Sequence, residues 1–498
     1  MKKLPWLRSL WIVLLLAPFV GAQTSELPKQ YDLRKVNAIT PIKSQQGGTC
    51  WAHGTCAAIE SNLLIKGTWK KLSNGNGLPA ISEYHLDWWN GFNRHNNRDL
   101  EDATKDPTGL TVHQGGDYRV SAAYISRGDG VVNLPRKEDN SFDITGYAKT
   151  PELKNPEFMK FYVRDIEWFT IGDNLEGIDD IKRRVMTEGA MGTAYASGKG
   201  FISKDFVHYQ PASSKSKPNH AVAIVGWDDE KSTVDADKKA PKPGAWLIKN
   251  SWGVGTAKAP RGENGFYWIS YYDKVSCRDP EMGAVSFRNV EPMKYQHVYF
   301  HDYHGWRATI KDIAKACNVF TAQGKEDITA VSFYTAADNV KYTASIYSKF
   351  EKGQLTGMRE SVSGTIERSG FHTVDLAKSV RIEKGEQFIV CLEVSNGGQA
   401  IDRTSEIEVL LQPDTKQPDK KVEPQPQPKK KFGGFGQRGP RGPNGGPIVL
   451  SKGNPEESLY YNGVIWRDLY EYRFDNPNWA TFDRSANFCM KALTVDAQ

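Results

Sequence analysis

Beyond its first two dozen residues the chain has no apolar run long enough to cross a membrane, which excludes a fold built on membrane-spanning helices. It also lacks a positive charge spread over the fold. The formal net charge of +6 is concentrated in two places. Lys2, Lys3 and Arg8 supply +3 near the start, and eight Lys/Arg set against Asp414, Asp419 and Glu423 supply +5 between Gln412 and Pro447. Taking away both segments leaves −2 for the remainder, which argues against a basic nucleic-acid-binding face. The carboxylate-rich stretch DDEKSTVDADKK, from Asp228, lacks the spacing and the glycine of a calcium loop and reads as a solvated insertion.

What is present begins with MKKLPWLRSLWIVLLLAPFVGA: a basic start, a short apolar run, then small residues at Gly21 and Ala22. This is the layout of a secretory signal peptide cut after Ala22, and it predicts a secreted protein, periplasmic or extracellular. No cysteine follows the run, which argues against a lipid anchor. At 498 residues the chain is longer than one compact core usually takes, so two domains are expected.

From Cys50 to Ile65 apolar and small residues run on with only Gly54 between them, predicting a buried helix entered through a glycine-rich loop. A second helix is predicted over Asp117–Arg127. From about Asn219 the pattern changes to strands in HAVAIVGW, AWLIKNSW and GFYWISYY. Helices first and strands later predict an α+β domain with segregated halves, over 28–291. After it, ITAVSFYTA, YTASIYSKF, FHTVDLA, QFIVCLEV, EIEVLL and FCMKALTV predict a β-sandwich over 295–498. Inside this second domain, residues 412–447 are rich in Pro, Lys and Gly and read as a disordered insertion.

Cys50 sits where the glycine loop enters the helix, and a helix N-terminus favours a thiolate over a thiol. An imidazole can take the thiol proton, and His220, opening a buried strand after a polar loop, is the candidate. Asn250 can fix that imidazole without changing charge. YDLRKVNAITPIKSQ with GGTCWAH, then ISEYHL, QGGDY, NHAVAIVGW, and WLIKNSWG with RGENGFYWIS occur in the order of five blocks of the papain and cathepsin family, and the chain resembles that family from about Gln30 to Val290. The resemblance implies Cys50 as nucleophile, His220 as base and then acid, and Asn250 as orienter. It implies Trp252 covering the His–Asn contact, and Gln45 donating to the oxyanion with the backbone N–H of Cys50. Gly115 and Gly116, with Asn219 and Trp252, are expected at the substrate cleft, where substrate backbone would pair as an added strand. The second domain resembles, more weakly, the lectin-like domain that follows many bacterial papain-family peptidases, through ACNVFTA, AVSFYTA, FHTVDL and NFCMKALTV.

The chain departs from the family pattern in several places. The usual C-G-S-C-W is Gly47-Gly48-Thr49-Cys50-Trp51, and ISEYHLDWW and HQGGD carry Trp or His where many relatives have cysteines. The first-domain disulfides are therefore expected to be absent. The loop after Gln45 is one residue shorter than usual, so Gln46 is a rival for the oxyanion role. Six cysteines could all pair in an exported protein, but a thiol at Cys50 leaves at least one other unpaired, and Cys56 is the best candidate. His53 reads as a packed residue rather than a second base. Trp466, Tyr470, Tyr472, Phe474 and Trp479 read as core packing rather than a sugar platform.

These readings predict a secreted cysteine endopeptidase working through a thioester, with no metal or cofactor. Its partners would be proteins or peptides, with a possible carbohydrate or cell-surface ligand for the second domain, no nucleic acid, and a monomeric state. The alternative is an inactive adhesin or binding protein on the same scaffold. Residues 23–30 are too few for a helical inhibitory domain, so latency is expected to fall to export, to the redox state of Cys50, or to the β domain covering the cleft.

Overall fold

A computed structural model describes residues 26–74, 76–100, 108–134, 145–198, 200–233, 240–257, 259–410, 441–474 and 484–497. The expected signal segment and most of the basic insertion lie outside them. Among the described residues no helix is long and apolar enough to cross a membrane.

The helix Cys50–Ile65 runs through the middle of the first domain, buried from Cys50 to Leu63. Its residues are mostly apolar or small on every side, as a helix with no solvent face requires, with His53, Glu60 and Asn62 as the larger polar exceptions. Its polar groups are matched inside the fold: Thr55 donates to Ser121 at 2.8 Å and Asn62 donates to the Glu188 carbonyl at 2.8 Å. Two shorter helices pack against it, and each starts at an oxygen-bearing cap. Ser82 accepts from the His85 amide ahead of Glu83–Trp89, and Asp117 accepts from the Val120 amide ahead of Tyr118–Ser126.

The three predicted strands form an antiparallel sheet in the order His220–Asp228, Ala245–Lys249, Phe266–Ser270, and Met191–Tyr195, which the sequence patterns above did not single out, pairs with the other side of His220–Asp228. This is the α+β, two-lobed papain-like arrangement that the sequence predicts. Met159–Phe169 and Ala284–Pro292 extend the sheet on the far side of Met191–Tyr195.

The second domain is a β-sandwich. One sheet carries Val340–Glu351, Gln354–Ile366, Gln387–Val394, Lys315–Thr321, Ser458–Tyr461 and Trp466–Asp468. The facing sheet carries Glu326–Thr335, Gly370–Ile382 and Met490–Asp496, and Val331, Phe333, Ile346, Phe388, Val390 and Met490 fill the core. Cys317 and Cys391 lie directly opposite each other on neighbouring strands and form a disulfide. Cys50, Cys56, Cys277 and Cys489 are buried outside any disulfide, so the first domain has none.

The two domains share one hydrogen-bonded sheet. Gly370, Phe371 and His372 pair with Glu167, Ile166 and Asp165. At Gly370 (φ +145°) an added Cβ would lie 2.0 Å from the Ile166 carbonyl oxygen, so only glycine lets the strands meet there.

Two expectations need correction. EIEVLL is not a sandwich strand: only Ser405–Glu406 pairs, with Ile448–Val449, and the chain then leaves the sandwich for the first domain. Residues 441–447, assigned above to a disordered insertion, form an ordered turn in which Glu406 accepts from the amides of Asn444 and Gly446. Phe474 and Tyr472 pack in the core as expected, with Arg403 4.0 Å over the Phe474 ring. Trp466 packs edge-on against Phe350, while Trp479 lies outside the described residues.

Candidate active site

The loop before Cys50 is held on both sides by backbone bonds. The Gln45 amide donates to the Ser251 carbonyl at 2.7 Å, and the Gly48 amide to the His113 carbonyl at 2.7 Å. Gly115 donates back to the Gly48 carbonyl at 3.0 Å. Cys50 thus becomes the first residue of the long helix, where amides without an intrahelical acceptor and the helix dipole favour negative charge.

His220 opens its strand opposite Tyr195 and is fully buried. Its Nε2 lies 2.9 Å from Asn250 Oδ1. The Ser251 amide donates to the same Oδ1 at 2.8 Å, which fixes that atom as the oxygen. An oxygen only accepts, so Nε2 carries the proton and Nδ1 is left as the acceptor. Nδ1 is buried and has no hydrogen-bond partner among the described residues. Trp252 stacks on the ring at 4.4 Å between centroids, and Tyr195 meets it edge-on at 5.6 Å. Burial pulls the imidazole down to about 4, against the Asn250 bond, which raises it, and with a smaller lowering from His53. The ring is therefore neutral near pH 7 in this closed site.

Gln45 is buried. Its Oε1 accepts from Ser251 Oγ at 2.7 Å and its Nε2 donates to the Gly47 carbonyl at 2.8 Å. Gln46 is only part-buried, and its Nε2 reaches the Ser44 carbonyl at 3.4 Å. Gly116 lies against Trp51, where an added Cβ would come within 2.5 Å of the indole. Asn219 closes a turn with Ser197, accepting from its amide at 2.7 Å and donating to its carbonyl at 3.1 Å. His53 is packed as expected, with Nδ1 2.9 Å from the Thr49 carbonyl, and burial lowers its pKa.

Two features of the site were not foreseen in the sequence. The first is a buried ionic cluster. Lys43 Nζ lies 2.7 Å from Glu60 and 2.6 Å from Glu83, and Lys249 donates to Thr40, which donates to Glu60. It ties the chain leading to Gln45, the long helix and the strand leading to Asn250. Burial opposes the charge on Lys43, but Glu60 and Glu83 outweigh it and hold its pKa above the ordinary lysine value. Burial pulls Lys249 down to about 8.

The second is Leu410, fully buried at the cleft. Its amide donates to the Gly116 carbonyl at 3.0 Å in an antiparallel bridge, and Cys50 Sγ donates to its carbonyl at 3.8 Å. Nothing in EIEVLL distinguishes such a segment from a sandwich strand.

A further cluster, Asp99, His304 and Asp402, brings its polar atoms within 4.8 Å. Ser451 already bridges it, 2.8 Å from His304 Nδ1 and 2.9 Å from Asp402 Oδ1, so it reads as an internally bonded group.

The family model for the papain family of cysteine proteases matches residues 27–77 and 122–285, and that for a lectin-like domain matches 298–416. Mouse pro-cathepsin H is 25% identical over 256 residues, covering 49% of this chain and 61% of its own length. Human cathepsin L2 is 25% identical over 268 residues, covering 53% and 66%. Cysteine proteinase 15A of pea is 27% identical over 269 residues, covering 53% and 63%. The chain thus spans roughly three fifths to two thirds of the curated relatives it matches. In structure it resembles the cysteine protease and lectin-like domains of Cwp84, a surface layer associated protein of Clostridium difficile, with TM-score 0.65 and 21% identity over 95% of this chain and 90% of that one. A form of clostridial Cwp84 after propeptide cleavage matches with TM-score 0.64 and 22% identity over 94% and 99%. The chain therefore carries a papain-family cysteine protease domain followed by a lectin-like domain.

Proposed function

We propose that the protein is an exported cysteine endopeptidase that hydrolyses peptide bonds through a thioester on Cys50. The observation that carries this reading is the state of His220: Nε2 is committed to Asn250, the amide of Asn250 is fixed by Ser251, and the unpartnered Nδ1 is the atom left to exchange a proton with a thiol. In the reaction, Nδ1 takes the Cys50 proton and sulfur attacks the peptide carbonyl carbon. The oxyanion is met by the Cys50 amide and Gln45 Nε2. The C–N bond breaks as the imidazolium returns its proton to the leaving amine. Water then adds to the thioester, releasing the acid and restoring the thiol. Trp252 keeps water from the His220–Asn250 contact. Nucleophile, base and oxyanion donors all belong to the chain, so the reaction as written uses no metal or cofactor.

Gly115 and Gly116 would offer backbone to substrate, with Asn219 at the neighbouring turn. We take 28–291 as the peptidase and 295–498 as its lectin-like companion, with residues 1–22 removed on export. Cwp84 is surface layer associated, and a place outside the cytoplasm suits this chain too. There the second domain would bind a cell-surface carbohydrate or protein while the first cuts polypeptides.

The test is hydrolysis of a fluorogenic peptide panel by the intact chain, by the chain after limited proteolysis, and by Cys50→Ala. Turnover that vanishes in Cys50→Ala supports the peptidase. No turnover in either wild-type form returns the protein to the binding class.

A further inference from the structure

Substrate binding to a cleft of this kind needs a free strand edge, because an incoming peptide adds itself as a strand and pairs through its backbone. At Gly116 that edge is already taken. The Leu410 amide donates to the Gly116 carbonyl at 3.0 Å, in an antiparallel bridge. The Leu410 side chain joins the apolar cluster that holds Cys50 and Trp51, together with Ile407 and Val449 from the same ribbon. Cys50 Sγ is spent as a donor to the Leu410 carbonyl, and Cys50 has no solvent exposure.

This segment is anchored on its own domain. Ser405 and Glu406 pair with Val449 and Ile448, and the Ile407 amide donates to the Pro447 carbonyl at 3.0 Å. Arg307 donates to Ser405 Oγ at 2.9 Å and to the Glu406 carbonyl at 3.1 Å. The ribbon is pinned to the first domain as well: the Gly109 amide donates to the Ile448 carbonyl at 2.6 Å, and Asn97 donates to the Leu450 carbonyl at 3.0 Å.

We propose that the lectin-like domain holds the peptidase latent by seating its own residues Ile407–Leu410 in the substrate cleft, so that catalysis requires this segment to leave. The proposal rests on the peptidase reading given above. A bound thiol that donates to a carbonyl is not a thiolate, and the sealed site keeps His220 neutral, so the reactive ion pair is not formed while the segment is seated. Magnitudes favour the seated state over a free peptide. The seated Leu410 removes its apolar side chain from water, and a tethered segment competes at an effective concentration on the order of millimolar. A free substrate at micromolar concentration loses that competition until the anchors of the ribbon are loosened.

The experiment is timed alkylation by iodoacetamide on the full chain, with mass spectrometry at each cysteine, in wild type and in Leu410→Pro. The substitution removes the amide that pairs with Gly116. The expected result is alkylation of Cys50 on the order of 10²-fold faster in Leu410→Pro, with buried Cys56 and Cys277 unlabelled in both. Equal rates at Cys50 overturn the proposal. If Cys56 and Cys277 also label, the variant has lost its fold, and hydrogen exchange on wild type decides instead. The Leu410 amide must be protected, and must become exchangeable once a peptidyl epoxide occupies Cys50. Unchanged exchange overturns the proposal. Fast labelling of Cys50 in a folded Leu410→Pro that hydrolyses no peptide supports the latch and overturns the peptidase reading, which keeps the two failures apart.

Discussion

His113 Nδ1 lies 2.5 Å from Asp87 Oδ2, and the His113 ring meets Trp88 edge-on at 5.2 Å. These contacts join the two segments in which many relatives carry cysteines. The His113 amide also reaches Asp87 at 3.2 Å, and the His113 carbonyl accepts from Gly48. A short hydrogen bond to a carboxylate therefore ties the two segments together just behind the loop that leads to Cys50. Hydrogen bonds to charged groups contribute about 1.5–3 kcal/mol. Asp87→Ala is expected to lower stability by that amount in a urea titration. It should also reduce kcat, because the loop that presents Cys50 loses its brace. A variant as stable and as active as wild type would show that the contact braces nothing.

The Lys43–Glu60–Glu83 cluster gives a larger effect. Removing one partner of a buried ion pair leaves an uncompensated charge and costs about 3–5 kcal/mol. Glu60→Ala leaves the two buried lysines, Lys43 and Lys249, with Glu83 alone, and it also strands the Ile81 amide, which donates to Glu60 at 2.9 Å. Its melting temperature is expected to fall steeply, whereas a Lys43→Met/Glu60→Leu/Glu83→Gln triple variant, which removes these three charges together, should recover part of the loss. No recovery would mean that packing, not charge, holds these segments.

The catalytic assignments predict graded losses once the cleft is open. Cys50→Ala and His220→Ala are expected to abolish turnover with the fold intact, while Asn250→Ala keeps measurable activity. Gln45→Ala should lose ~10²–10³ in kcat and Gln46→Ala much less. Ser251 holds Gln45 and not Gln46, so a larger drop for Gln46→Ala would contradict the geometry. These rates are read in Leu410→Pro, where the seated segment does not mask them.

The papain-like half of the fold was legible because its signals are local. Cys50 is named by the loop before it, and His220 and Asn250 by the strands they open and close. The long helix Cys50–Ile65 and three of the strands behind it follow from patterns within single segments, while Met191–Tyr195 was missed. What was not legible depends on pairing between distant segments. Lys43 and Lys249 sit inside PIKSQ and WLIKNSW, but only folding brings Glu60 and Glu83 to them. EIEVLL has the alternation of a strand, and alternation does not say which sheet or which cleft it joins. The shared sheet between Met159–Phe169 and Gly370–Ile382 is likewise a long-range pairing, with Gly370 as its one local mark.

The seated segment carries its own response to pH through Glu408. Burial first, then Asp279, Asp117 and Glu281, push its carboxyl up from 4.5 to about 7, with Lys217 opposing. Arg307 and Arg119 act on the neighbouring Asp117, and both lower its carboxyl against its own burial. The docked carboxyl thus holds its proton more tightly than the free one. Docking is strongest below about 4.5, where both states are protonated, and weakens as pH rises toward about 7, because release lets Glu408 ionise. Above about 7 the effect levels off. Cys50 alkylation also rises with pH through thiol ionisation, so the useful quantity is the wild-type rate divided by the rate in Glu408→Gln, which keeps the shape but cannot ionise. That ratio is expected to climb between pH 4.5 and 7 and then stay flat. A ratio independent of pH across this window would remove Glu408 as the sensor and leave the seating of Leu410 governed by its anchors alone.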